Sequence, residues 1–366
     1  LNALQHFLLP AVAPVLYNLS IIAGAWLLAP SLGAYGLVIG AIVGALAHLL
    51  VQLPGLWRQH AHYTPSLTLH DPGVREVLRL MGPRVLGLLF VQMHFLVNTI
   101  LASRLIEGSL SALNYAWLIM LLPQGIFAQA VATAAFPTFA AQIAAGERDA
   151  MRSTFGGILR TVLFLSMPAA ILLYILAEPL VGALLQRGQF TAESTTMVAF
   201  ALGFYAVGLV GHAVVEIVVR AFYALHDTIT PVSVGIGAML LNIALSYWWV
   251  NYLSFGGLAL ANSVATTLEM FLLLALLSRK MNGIDGRRLA TSVIRNGSAA
   301  IFMGAGVWFW LTWVEQVTLP SWMDAPIWAA AIGGVLLAAV LYLVAAYLLR
   351  SRELQPAIGM VTRRVR

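Results

Sequence analysis

Residues 34–58 read AYGLVIGAIVGALAHLLVQLPGLWR, and no charge interrupts the run before Arg58. At 1.5 Å per residue such a helix extends over about 37 Å, enough to cross a hydrocarbon core of about 30 Å. Comparable apolar runs lie at 8–29, 83–106, 111–141, 158–184, 194–222, 229–252, 255–278, 291–314 and 325–349. With the first, at 34–56, they make ten predicted spans. Of the 366 residues, 61% are apolar and 9% charged, and none is cysteine. Soluble domains carry roughly 25% charged residues. The composition excludes a soluble enzyme, a disulfide scaffold and a zinc–thiolate site. It specifies an all-α polytopic membrane protein. On a soluble domain the net charge of +6 would suggest nucleic acid. Here its placement reads as membrane topology, so no nucleic-acid partner is expected.

The basic residues divide sharply. One set of connections holds Arg58, Arg75, Arg79 and Arg84, then Arg148, Arg152 and Arg160, then Arg220. It continues with Arg279, Lys280, Arg287, Arg288 and Arg295, and ends on Arg350, Arg352, Arg363, Arg364 and Arg366. The opposite set holds only Arg104 and Arg187, a split of 18 to 2. Lys and Arg accumulate in cytoplasmic loops, so both termini are expected on the cytoplasmic side. The outer connections are short, among them Pro30–Gly33 and Asn251–Ser254. Asp71-Pro72 followed by Val74, Val77, Leu78 and Met81 predicts an interfacial helix, and Glu147–Arg152 reads as a shorter one. The first residue is Leu1 and not Met, so the chain reads as a fragment, and no charged n-region precedes the first apolar run, so that run does not read as a signal peptide.

Segment 34–58 has a weak echo 221 residues later, at 255–279. Gly36, Leu37, Val43, Leu53, Leu56 and Arg58 match Gly257, Leu258, Val264, Leu274, Leu277 and Arg279, and His48 falls on Glu269. Apolar helices also match by chance. A true repeat would pair the second span with the eighth, six helices on and in the same orientation. That is the arrangement of two-lobed transporters, and the first lobe would then lack four helices.

Ionisable groups inside spans are costly and mark candidate sites. His212, Glu216 and Arg220, spaced four apart, share one face of the sixth span. They read either as a hydrophilic route in which Arg220 meets an anion such as phosphate, or as a compensated pair with Arg220 snorkelling. Gln92, His94 and Asn98 lie in the third span, where interhelical hydrogen bonding is the competing role. Glu269 reads as a protonation site, a partner of Asn242 or Asn262, or a neutral hydrogen-bond donor. No nucleotide-binding motif, metal-ligand spacing or paired acids appear, so an enzyme is not expected. Transport would draw on a coupling cation or the membrane potential, with no other cofactor.

Several stretches resemble the MurJ/MviN family of lipid II flippases, within the multidrug and polysaccharide exporter superfamily. They are Pro14–Asn18 (PVLYN), Gly108–Ala116 (GSLSALNYA), Pro123–Phe127 (PQGIF) with Phe136-Pro137, Gln186–Thr191 (QRGQFT), and Arg220–Ala224 (RAFYA) with Asp227–Pro231 (DTITP). The resemblance implies a MATE-like fold of two six-helix lobes plus two C-terminal helices, of which this chain is helices 5–14. Residues 1–57 would be the remainder of the truncated first lobe, and 58–82 a cytoplasmic loop with the interfacial helix. Residues 83–280 would be the second lobe, and 281–366 the last two helices and a basic tail. The implied activity moves an undecaprenyl-linked peptidoglycan precursor from the inner to the outer leaflet of the bacterial inner membrane. Its partners would be that lipid, the bilayer and cell-wall synthesis proteins. Candidate substrate contacts are Arg220, Glu216, His212, Asn114, Gln92, Asn98 and Arg104, and candidate coupling groups are Glu269 and His94. Two departures stand out. Helices that usually carry cavity arginines precede the matched part. The family's arginine after Asn114-Tyr115-Ala116 is replaced by Leu118. These leave a non-transporting scaffold in cell-wall assembly, or an exporter of another lipid-linked oligosaccharide, as the alternatives.

Overall fold

The computed structural model describes residues 8–58, 74–75, 81, 92, 95–316, 325–351 and 353–354. All secondary structure among them is helical, as a lipid environment requires: a helix satisfies its own backbone groups where no water can. Eight helical stretches are long and apolar enough to cross a membrane. The predicted third span is described only at residue 92 and from residue 95 onward, with 95–102 helical. The predicted interfacial helix at 71–82 lies outside the described residues except Val74, Arg75 and Met81. The chain divides into two compact units, Leu1–Leu80 and Met81–Arg366.

In the first unit α1 (Leu8–Ala23) continues through a π segment, Gly24–Leu28, into α2 (Ala29–Leu32). The chain reverses at Gly33 into α3 (Ala34–Leu50), and α4 (Leu53–Arg58) follows. Gly36, Gly40 and Gly44 are the buried residues of α3. A Cβ on Gly40 would sit 2.8 Å from the Ser20 carbonyl oxygen, and one on Gly36 would sit 2.5 Å from the Ala29 nitrogen. Only hydrogen fits there. The helices meet backbone to backbone, as apolar helices do when lipid removes the hydrophobic reason to associate.

The second unit contains α5 (Ser109–Gln124), a π segment Gly125–Gln129, α6 (Ala130–Ala144), α7 (Arg148–Ile175) and α8 (Ala177–Leu185). Then come α9 (Ala192–Ala224), α10 (Ile229–Lys280), α11 (Gly286–Gln316), α12 (Ala325–Trp328), a π segment Ala329–Gly333 and α13 (Gly334–Leu348). Three expectations change. The surface helix expected at 147–152 is the first turn and a half of α7, which runs unbroken into the bilayer. The predicted loops Pro30–Gly33 and Asn251–Ser254 are each helical up to a single residue, Gly33 and Ser254. Consequently α10 covers two predicted spans in 52 residues, broken only at Ser254.

These two breaks settle the repeat. Gly33 has φ 57° and ψ −135°, and Ser254, 221 positions later, has φ 51° and ψ −138°. Just after each break a glycine presses on the preceding helix at matching positions. A Cβ on Gly36 would lie 2.6 Å from the Leu28 carbonyl carbon, and one on Gly257 would lie 2.7 Å from that of Trp249. The stripe Gly36, Gly40, Gly44 becomes Gly257, Ala261, Ala265, all buried. Two helical hairpins of one design thus stand in the two units.

Within the second unit α9 is the central helix, packed on α10, α7 and α5, while α11 packs on α7 and α13. The α9–α10 seam is closest where Gly208 faces Ser263: a Cβ on Gly208 would lie 2.7 Å from the Ser263 Cα. The Ser263 hydroxyl donates to the Phe204 carbonyl across the seam at 2.7 Å. Between α9 and α10, Asp227 accepts from the Thr230 backbone N–H (3.0 Å) and hydroxyl (2.8 Å), capping the start of α10. The same carboxylate pairs with Lys280 at the far end of α10, clasping both ends of the hairpin.

Two predictions follow from these joints. Ser254 occupies backbone space suited to glycine, at a cost of order 1–3 kcal/mol. Ser254→Gly is expected to raise stability by about 1 kcal/mol, and Gly33→Ala to lower it. Thermal unfolding of the detergent-solubilised protein decides, and an unchanged or lower midpoint for Ser254→Gly counts against the reading. The second concerns pH. Lys280, then the Thr230 hydrogen bonds, hold the Asp227 carboxyl from its ordinary 3.8 down to about 2. Its contribution is therefore complete above about pH 4 and lost as pH falls toward 2. The stability gap between wild type and Asp227→Asn should narrow across that window, and a constant gap would refute the clasp.

Candidate functional site

His212, Glu216 and Arg220 occupy successive turns of α9, but they do not act as one group. Arg220 Nη1 donates to the Glu216 carboxylate, with which it forms an ion pair, and to the Glu216 carbonyl oxygen at 2.7 Å. Both side chains are about one quarter exposed. Of the two readings open from the sequence, the geometry matches the compensated pair. Arg220 Nε and Nη2 have no partner among the described residues, so the guanidinium keeps donors for an anion.

His212 turns to a different set of neighbours. Its Nε2 lies 2.9 Å from Asn262 Oδ1 on α10. Trp117 of α5 meets the imidazole edge-on at 5.4 Å and meets Tyr205 at the same distance. Beside them a cavity of about 60 Å³ is lined by Asn98, Asn114, Asn262, Trp117 and Tyr205, among others. Ser246 Oγ lies 3.5 Å from the side-chain oxygens of both Asn98 and Asn242. Four helical stretches therefore pool amide, hydroxyl and imidazole groups at one place: 95–102, α5, α9 and α10. The Gly208–Ser263 seam makes this possible, because His212 and Asn262 sit beside it on the two helices. The cavity has room for a few water molecules, far below the 300 Å³ or more of ordinary ligand pockets. It suits a structural polar cluster or a small hydrated group, not a lipid headgroup.

Of the residues selected from sequence, His212, Asn98 and Asn114 thus come together. Gln92 is exposed, and so is Arg104 in the turn before α5; neither lines the cavity. His94 lies outside the described residues. Glu269 is half-buried on α10, where a Cβ on Gly235 would stand 3.4 Å from its Oε1. Its suggested asparagine partners are engaged elsewhere: Asn262 holds His212, and Asn242 lies with Ser246. Leu118 is 57% exposed, one turn beyond Asn114. Sequence reasoning missed Trp117, Tyr205 and Ser246, and it offered Asn262 only as one possible partner of Glu269, whereas Asn262 meets His212. Asn262 carried a visible signal, a lone amide in an apolar run, but nothing in the sequence said which helix it faces. Among the described residues no cluster of three His, Asp or Glu is placed to hold a metal.

The model of the family described as "Lipid II flippase MurJ" matches residues 1–325. A probable lipid II flippase MurJ of Haemophilus influenzae is 31% identical over 350 residues, covering 93% of this chain and 68% of the relative. The lipid II flippase MurJ of Burkholderia cenocepacia is 35% identical over 279 residues, covering 75% and 54%. A probable counterpart from Vibrio cholerae is 33% identical over 327 residues, covering 86% and 61%. The chain thus spans between about half and two thirds of these relatives' lengths. A solved structure of a lipid II flippase MurJ, in an inward closed conformation, superposes with a TM-score of 0.78 at 22% identity. It covers 95% of this chain and 68% of that one, and shows a shared fold. With the family model running through most of the sequence and the same fold beneath it, this multi-pass membrane protein belongs to the lipid II flippase MurJ family.

Proposed function

We propose that the protein moves an undecaprenyl-linked peptidoglycan precursor, lipid II, from the inner to the outer leaflet of the bacterial inner membrane. The observation that carries this reading is the family match over residues 1–325. The physical demand agrees with it. A large polar headgroup cannot cross hydrocarbon unshielded, and two lobes of one design can rock about a central site. The paired hairpins broken at Gly33 and Ser254 support such lobes. Arg220, through its free donors, is the substrate contact we favour on α9, while Asn114 on α5 lines the small polar cavity. His212, Glu216 and Asn98 shape the polar interior, and Gln92 and Arg104 are further contacts. Glu269 has no partner among the described residues, which supports it as the coupling group, with His94 second. The driving force would be a cation gradient or the membrane potential. The arginine split supports cytoplasmic termini, and cell-wall synthesis proteins are the expected protein partners.

One observation favours a second reading, a non-transporting scaffold. Leu118, where the family pattern carries arginine, is exposed on α5 and offers no donor to a pyrophosphate. Complementation of a flippase-depleted bacterium by the full-length gene, with a leaflet assay for lipid II, separates the two. Growth and outward lipid II are expected. Failure despite membrane insertion would overturn the transport reading in favour of the scaffold. Arg220→Ala is expected to weaken transport about tenfold, and Arg187→Ala to leave it near wild type. Leu118→Arg, which restores a donor at this position, should strengthen lipid II binding in the protein that inserts. Equal losses at Arg220 and Arg187 would move the anion contact elsewhere.

A further inference from the structure

A cavity of about 640 Å³ lies between α7, α11 and the residues that follow α13. Its lining includes four arginines, Arg160, Arg287, Arg288 and Arg295, against one carboxylate, Glu353. That carboxylate is already spent. It pairs with Arg160 at 3.4 Å and accepts from the Ser292 hydroxyl at 2.9 Å and the Ser351 hydroxyl at 2.8 Å. Asn296 closes the floor, donating to Ser292 at 3.1 Å, with its Oδ1 2.9 Å from the Ser351 hydroxyl, whose single proton it shares with Glu353. This buried network holds the C-terminal turn against α7 and α11. Above it the charge is unbalanced. Arg288 pairs with Asp285 at 3.0 Å, and Arg295 donates to the Arg350 carbonyl at 3.2 Å, which leaves its positive charge unmatched. Arg287 has no side-chain partner among the described residues and is exposed.

Guanidinium groups are planar forks that match phosphate oxygens two at a time. The cavity falls within the size range of ligand pockets. It also sits at the start of α11 and the first half of α7, on the side of the spans that carries the arginine excess, which the positive-inside rule assigns to the cytoplasmic headgroups. Basic pockets between helices at that level hold anionic headgroups. We propose that this cavity binds the phosphate of an anionic phospholipid of the inner leaflet, bridging α7, α11 and the end of α13.

The test uses the purified full-length protein in detergent, titrated with phosphatidylglycerol, phosphatidylcholine or inorganic phosphate. Native mass spectrometry reads binding and a thermal midpoint reads stabilisation. Phosphatidylglycerol should be retained and raise the midpoint, while phosphatidylcholine should do neither. Arg287→Gln/Arg288→Gln should weaken phosphatidylglycerol binding about tenfold. Arg148→Gln, which removes a charge on the same side but outside the cavity, should leave it unchanged. Arg287 supports no other group, so Arg287→Gln alone checks that a loss is not misfolding; it should fold as wild type and bind more weakly. Equal retention by the double variant, or equal binding of the two lipids, would overturn the site. Full stabilisation by inorganic phosphate alone would overturn the lipid assignment in favour of a free-anion site. No transport substrate enters the assay, so its outcome is independent of whether the protein flips lipid II.

Discussion

Everything in this fold depends on how closely helices can approach in a solvent as apolar as their own side chains. Burying leucine against leucine gains little when lipid offers the same contact, so association rests on van der Waals fit and interhelical hydrogen bonds. Gly208 against Ser263 is one instance, with no room for a methyl group between α9 and α10. The Ser263 hydroxyl then spends itself on the Phe204 carbonyl of the opposite helix. Such bonds contribute roughly 0.6 kcal/mol on average in membranes. Their value here is register as much as energy. With Gly208 and Ser263 locked, Gly211 falls against Thr267, and His212 reaches the amide of Asn262.

The repeat shows the same constraint used twice. α3 and the second half of α10 each begin after a one-residue break and carry a small-residue stripe toward the preceding helix. What differs is the chemistry laid on that frame. His48 in the first hairpin stands where Glu269 stands in the second, and both are half-buried. Where the helix meets the preceding backbone both hairpins keep glycine, at Gly36 and Gly257, while the polar positions have diverged. Two similar hairpins can thus serve unlike roles without changing how they pack.

The sequence made the spans legible because hydrophobic length and charge placement are properties of single segments. The arginine split and the apolar runs needed no knowledge of neighbours. The repeat was only faintly legible, since six identities among apolar residues mean little until the backbone of Ser254 is seen to copy that of Gly33. Serine gives no warning of a left-handed turn, so the two spans of α10 were legible while the one-residue break between them, in place of a four-residue loop, was not. The polar cluster was half legible. Single amides inside spans could be picked out, yet the partner of each depends on rotation about the helix axis, which the α9–α10 seam fixes. Arg220 illustrates the limit from the other side: its spacing from Glu216 allowed a pair or a route, and the observed contact shows the pair while leaving Nε and Nη2 for an anion.

The charges carry the synthesis one step further. Among the described residues, arginines near carboxylates have found them: Arg220 with Glu216, Arg160 with Glu353, Arg288 with Asp285. Each pairing reduces the cost of holding a cation near hydrocarbon. It also lowers the charge left to attract a phosphate. The interior of the described spans therefore presents mostly neutral groups, the asparagines and histidine around Trp117, while four arginines line the cavity beside α11. A carrier gains from that division. Strong fixed charges in the middle of a route would hold an anionic headgroup as firmly as they attract it. Neutral donors orient it at lower cost and let it leave. On the flippase reading, Leu118 in place of arginine shifts the balance the same way, toward weaker capture and easier release along α5.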